Sequence, residues 1–252
     1  MKPEVLAHPS LAGAAHGFLG RAGGVSTGIH AGLNVSFSDD DHAATAENRR
    51  RAVEAVLPGA TLVCAYQVHS SDVLTVTEPW DETDRPPADA LVTDRRGILL
   101  GILTADCAPV LFHDPVAGVI GAAHAGWKGA LTGVTDATIA AMEALGATRT
   151  RIAAVVGPCI AQKSYEVDDA FERRFVESAA ENEHFFRAGK PGHAWFDLEG
   201  YVAARLQSAG IGSVAMLGED TYAQPARFYS FRRATHAGEP GYGREISLIG
   251  LR

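Results

Sequence analysis

Apolar residues recur along the chain in short runs divided by Gly, Pro, Asp and polar turns. Segments 98–103, 110–113 and 119–123 are apolar and bounded by such breakers, which predicts buried strands. Segment 61–69 alternates with period two. That alternation places Val63, Ala65, Gln67 and His69 on one face of a predicted strand, with Leu62, Cys64, Tyr66 and Val68 on the other. Segments 152–156, 214–217 and 228–231 predict further strands. Helical spacing governs 43–57, where Ala46, Val53 and Val56-Leu57 share a side until Pro58-Gly59 stops the element. It also governs 131–145, ended by Gly146, and the amphipathic stretches 168–180 and 198–209. The Gly-rich segment 16–35 suits turns where backbone approaches a ligand, and 78–87, rich in Pro and charge, reads as a surface loop. Strands occur in adjacent pairs as well as in alternation with helices. This predicts one α/β (mixed α+β) domain over 1–252, with layered mixed sheets and flanking helices.

Composition narrows the function classes. A chain of 252 residues with 46% hydrophobic and 21% charged positions can bury a core without disulfides or a structural metal. Its formal net charge of −8 is the wrong sign for a surface that grips a phosphate backbone, so nucleic acid is not an expected partner. Cys64, Cys107 and Cys159 are too few and too scattered for a disulfide framework, and no apolar run reaches the ~20 residues of a bilayer span. Met1-Lys2-Pro3-Glu4 is a poor start for a secretory signal, so a cytoplasmic protein with no membrane partner is expected.

The candidate chemistry centres on Asp114-Pro115-Val116-Ala117-Gly118, a turn-rich link between two apolar runs. Cys107 and His124 lie almost symmetrically about it. A hairpin centred on Pro115-Val116 sets them opposite each other at the ~5 Å Cβ separation of cross-strand pairs. His69 ends another predicted strand. If that end joins the same edge, two imidazoles and a thiolate form a catalytic zinc set with an open fourth position.

Several blocks resemble those of the bacterial laccase-domain family, also called polyphenol oxidase, peptidoglycan editing factor or purine nucleoside phosphorylase proteins. They are Gln67-Val68-His69, Thr104-Ala105-Asp106-Cys107-Ala108-Pro109-Val110 and Ala122-Ala123-His124-Ala125-Gly126-Trp127-Lys128-Gly129. Gly32-Leu33-Asn34, Glu47-Asn48-Arg49, Gly157-Pro158-Cys159-Ile160, Ser230-Phe231-Arg232-Arg233 and Gly243-Arg244 agree. The chain departs from the family pattern at Asp220, where the family often has Cys, and at Ala234, where an acidic residue is usual. The resemblance implies zinc held by His69, Cys107 and His124, with copper as a second possibility. It also implies a fold shared with cytotoxic necrotizing factor-like cysteine hydrolases. The activity it implies is phosphorolysis of adenosine, inosine or methylthioadenosine, or adenosine deamination, on a small nucleoside with phosphate. Two other readings stay open: a cysteine hydrolase or amidase that edits peptidoglycan precursors with Cys107 as nucleophile and His124 as base, and a copper-dependent polyphenol oxidase.

Around the ligands, Asp106 is a candidate for proton transfer because it adjoins Cys107. Arg49, Asn34, Lys128 and one of the pair Arg232 and Arg233, Arg232 in first place, are candidates for substrate or phosphate. Lys128 lies in a Gly-rich strand-to-helix turn, where N–H groups and the helix dipole favour an anion. Read as strand residues, Arg232 and Arg233 point to opposite faces. Cys64, of opposite parity to His69, is expected to be structural, as is His113.

Overall fold

The computed structural model describes residues 2–252. Its architecture is two mixed sheets packed face to face, with helices on both outer faces. The first sheet orders its strands Val5–Leu6, Ala14–Leu19, Glu245–Leu251, Ile98–Thr104 and Thr61–Cys64. The second runs Ser213–Met216, Ala153–Val156, Ala108–Asp114, Val119–Ala125, Ala90–Thr93 and Val73–Thr75. Leu100, Ile102, Phe18 and Ile249 from the first sheet meet Leu111, Ile120, Ala122 and Val155 from the second in one buried core. Alternation sends Leu99, Leu103 and Leu248 outward against Ala52, Val53 and Val56 of the helix His42–Val56. In the second sheet it sends Val110, Phe112 and Ala123 toward the helices Val134–Ala144 and Leu198–Ser208. Strands covered on both faces cannot alternate apolar with polar, which is why these segments read as continuous apolar runs.

A small third sheet, Glu166–Asp168, His193–Phe196 and Phe186–Ala188, sits beside the second. Phe171 and Phe175 of the helix Asp169–Ser178 pack there against Phe196, with ring centroids 5.3 and 4.6 Å apart.

Four local expectations are corrected. The predicted strand 61–69 stops at Cys64, and His69 has φ +60 in a loop, so strand parity does not relate Cys64 to His69. The predicted helix 131–145 is two helices, Trp127–Thr132 and Val134–Ala144, because Gly133 adopts φ +96 between them. Segment 228–231 is not a strand. Ser230 caps the helix Phe231–Ala237 by accepting from the Arg233 N–H, so the facing of Arg232 and Arg233 follows helical geometry. The hairpin forms, but in another register: Pro109 faces His124 and Asp114 faces Val119. Asp114 Oδ1 accepts the Val116 and Ala117 N–H groups, and Gly118, at φ +64, donates to the Asp114 carbonyl. The turn is therefore Pro115 to Gly118, which moves the hairpin axis by one residue and the pairing by two. Cys107 and His124 are thus diagonal neighbours and not a directly opposed pair.

Candidate metal centre

Three side chains converge where the two sheets open. The ligating atoms of His69, Cys107 and His124 all lie within 4.8 Å of one another, the one such group of three or more donors among the described residues. His69 Nε2 is 3.8 Å from Cys107 Sγ, and the two imidazole rings meet edge to face at 4.7 Å. Ligands on a tetrahedral zinc stand a little closer than this, so two nitrogens and one sulfur fit zinc with small adjustments and a free fourth position. Gly126 closes the floor: a Cβ there would lie 2.7 Å from the His69 ring and 3.0 Å from Cys107 Sγ.

Asp89, at the start of the strand Ala90–Thr93, holds two of the three donor residues. Its Oδ1 is 2.7 Å from His124 Nδ1, which fixes the ring and leaves Nε2 for a metal. Its Oδ2 accepts the Val68 and Ser70 N–H groups at 3.1 and 2.6 Å and the Ser70 hydroxyl at 2.9 Å, gripping the loop on both sides of His69. Burial pushes the Asp89 carboxyl up. The hydrogen bond and charge of His124 and the bonds from Ser70 outweigh it and bring the pKa down to about 2. Burial likewise opposes both charges in the adjacent pair, yet the Cys107 thiol is drawn down by His124 and the His124 ring is drawn up by Cys107 and Asp89. Each partner thus favours the charged form of the other.

Two clefts meet at this cluster, sharing His69, Ala105 and Cys107. The larger, about 510 Å³, is aromatic: Trp127, Tyr165, Phe171 and Phe231 line it, and Arg232 lies over the Tyr165 ring at 5.1 Å. The other, about 390 Å³, is lined by Arg49, Arg85, Arg244, Ser36 and Tyr242. Phe231 and Tyr242 touch edge to face at 5.2 Å, one from each cleft.

Asp106 has φ +82 and spends its carboxylate on Thr221 Oγ1 at 2.6 Å, Ser230 Oγ at 2.9 Å and the Arg232 N–H at 2.7 Å. Burial nonetheless raises its pKa. It anchors the Arg232 helix to the Cys107 turn. Arg233 is consumed by the Thr221, Tyr222 and Phe228 carbonyls, so Arg232 is the one of the pair that lines a cleft. Arg49 donates to the Val35 carbonyl at 2.7 Å and to Glu82 at 2.6 Å. Asn34 is buried and lines neither cleft, but its Oδ1 accepts the Ser36 and Arg244 N–H groups at 3.2 and 2.9 Å, which positions both residues. Lys128 is exposed, outside both clefts, with its ammonium 5.5 Å from the Trp127 ring. Cys64 and His113 are buried away from the donor cluster. Asp220 caps the loop after Cys159, accepting from the Tyr222 N–H at 3.1 Å and the Ser164 hydroxyl at 2.8 Å. Sequence reasoning missed Asp89, Glu82 and the cleft roles of Tyr165 and Arg244. A lone acid between Ala88 and Ala90, heading an apolar run, was the available signal for the first.

Comparison with known proteins agrees along nearly the whole chain. A family profile described as multi-copper polyphenol oxidoreductase laccase matches residues 15–252. The chain is 41% identical over 250 residues to a Deinococcus radiodurans protein named purine nucleoside phosphorylase, covering 98% of this chain and 92% of that one. It is 42% identical over 203 residues to a Streptomyces griseus protein of the same name, covering 79% and 81% of the two chains. Among solved structures it is similar to YlmD from Geobacillus stearothermophilus, at TM-score 0.89 and 30% identity, covering 100% of this chain and 97% of that one. A Neisseria meningitidis protein gives the same TM-score and identity, covering 100% and 99%.

Proposed function

The chain belongs to the family described as multi-copper polyphenol oxidoreductase laccase, and from that premise we propose that it is a zinc-dependent purine nucleoside phosphorylase. The observation that carries the reading is the convergence of His69, Cys107 and His124 where an aromatic and a cationic cleft meet. The names of the Deinococcus and Streptomyces relatives support the reaction class. In phosphorolysis the C1′–N9 bond breaks with its electron pair going to the purine. A phosphate oxygen bonds to C1′, and a proton ends on the purine. Zinc, when bound, supplies Lewis acidity at the junction. His69, Cys107 and His124 would hold it there, and Asp89 would keep His124 in the ligating tautomer. Arg49 binds phosphate from the cationic side, while Arg232, with Tyr165 and Trp127, receives the nucleoside. Asn34 contributes by positioning Ser36 and Arg244, and Asp106 by fixing the Arg232 N–H. Adenosine, inosine and methylthioadenosine are the candidate substrates, with adenosine deamination as a second activity at the same metal.

One observation favours a second reading. His124, flanked by Asp89 and beside a lowered-pKa Cys107, has the composition of a cysteine hydrolase triad. Copper is the other candidate ion, because copper(II) binds such donors more tightly than zinc. Elemental analysis with product identification from adenosine, with and without phosphate, tests these readings together. Stoichiometric zinc with phosphate-dependent release of adenine and ribose 1-phosphate supports the proposal. Full activity after chelation favours the cysteine hydrolase.

A further inference from the structure

Resting on the phosphorylase reading, we infer that Arg244 and Arg49 form the station for inorganic phosphate, so that the two substrates occupy separate chambers that meet only at the metal. The two clefts differ in charge. The aromatic cleft carries Arg174 and Arg232 but also Asp106, Glu166 and Asp168, so it has no excess of cations. The other carries Arg49, Arg85 and Arg244, and the one carboxylate paired with them is Glu82, which binds both Arg49 at 2.6 Å and Arg85 at 3.0 Å. Among the described residues Arg244 has no carboxylate partner. Its guanidinium donates to two hydroxyls, those of Ser36 and Tyr242, which an anion can replace or share. Its backbone is fixed on both sides, by its N–H to Asn34 Oδ1 at 2.9 Å and by the Val35 N–H to its carbonyl at 3.1 Å.

Arg49 is held as firmly. With its side chain 11% exposed, it is pinned by Val35, Glu82 and the Phe37 ring, yet its Nη2 has no hydrogen-bond partner among the described residues. Arg49 and Arg244 line the same cleft, and a buried guanidinium nitrogen left unsatisfied there is costly unless an acceptor arrives. A tetrahedral dianion offers acceptors to both groups, and preformed guanidinium forks lose little entropy in binding it. Such charge is not expected of a cleft meant for a neutral purine. The aromatic cleft, with four rings against three in its neighbour and no excess of cations, suits the base instead.

The test uses the full-length zinc-loaded protein, with inorganic phosphate as probe. Phosphate affinity is read directly by ³¹P line broadening, and separate KM values are measured for phosphate and inosine. Arg244→Gln is expected to raise the phosphate KM and dissociation constant at least tenfold, with the inosine KM within about twofold and zinc content unchanged. Phe231→Ala, on the exposed lip of the aromatic cleft, is expected to do the reverse. Arg244→Lys keeps the charge without the fork and should fall between wild type and Arg244→Gln, which covers a folding failure of the glutamine variant. Unchanged phosphate binding in Arg244→Gln, or an equal loss for both substrates, overturns the assignment. If the wild type makes no ribose 1-phosphate but Arg244→Gln still loses phosphate binding, the station stands and the phosphorylase reading falls.

Discussion

Asp89 and His124 are joined twice: the carboxylate receives His124 Nδ1 at 2.7 Å, and the Asp89 carbonyl receives the His124 backbone N–H, also at 2.7 Å. Since the other carboxylate oxygen holds the loop around His69, one buried acid sets the spacing of two of the three clustered donors. Asp89→Asn cannot satisfy both sides. Its carbonyl can face His124 or the Val68 and Ser70 N–H groups, and its NH2 then opposes donors at the other. We expect zinc affinity to fall about 10- to 100-fold while the fold persists. Competition with a chromogenic chelator measures it, and an unchanged affinity would refute the dual role.

Gly126→Ala probes the same floor from below. The added methyl meets the His69 ring and Cys107 Sγ inside normal contact distance, so one ligand must move. Overpacking of this kind costs about 1–3 kcal/mol, and here it falls on ligand geometry. Zinc affinity should drop by about tenfold or more, with a cooperative melt retained. Wild-type affinity in this variant would mean that the ligands have more freedom than the packing allows them.

The helix His42–Val56 and the central strands were legible in the sequence because one periodicity, 3.6 or continuous apolar, dominates each. The meeting of Cys107 and His124 was legible too, but its register was not. An Asp114 carboxylate that lengthens the turn by hydrogen bonding carries no apolar signature. Segment 228–231 misled for the opposite reason: its aromatic residues look like a strand, while a single capping hydroxyl on Ser230 commits the chain to a helix. Asp89 joins residues far apart in the sequence through its two oxygens, and neither periodicity nor local spacing encodes that.

Arg49→Ala should leave zinc bound, because Arg49 touches none of the three ligands' fixing groups. Loss of a charge-assisted contact to phosphate, worth about 1.5–3 kcal/mol, predicts a fall of roughly 10- to 100-fold in phosphorolysis. Deamination needs no phosphate and should fall less. Equal loss of both, measured from adenosine, would place Arg49 in general stability.

The three thiols should separate sharply in metal-free protein. Cys107 is half-buried and, against the effect of burial, is held as a thiolate by His124 and His69, whereas burial raises Cys64 and Cys159. Iodoacetamide at neutral pH should therefore modify one site, Cys107, and equimolar zinc should block it. Mass spectrometry of the peptides reads the outcome. Rapid labelling of Cys64 in folded protein would contradict its placement in the core.

Asp114 offers a test of the hairpin that is independent of the metal. Its buried carboxylate accepts Val116, Ala117 and Thr148 N–H groups and faces Arg151. Burial raises its pKa, but the bonds from Thr148, Ala117, Arg151 and Val116 outweigh this and hold it at about 2, below the ordinary carboxylate value. A depressed native pKa means that the stabilisation is complete above the unfolded value near ~4 and is lost as pH falls through about 2. Asp114→Asn keeps an acceptor for the turn but loses the charge and the acceptor for Thr148, so at pH 7 it should cost about 2–4 kcal/mol. Urea unfolding of both proteins should show that gap constant from pH 7 to 5 and narrowing toward pH 2. A gap that does not narrow on acidification would show that the carboxylate charge contributes nothing to the turn.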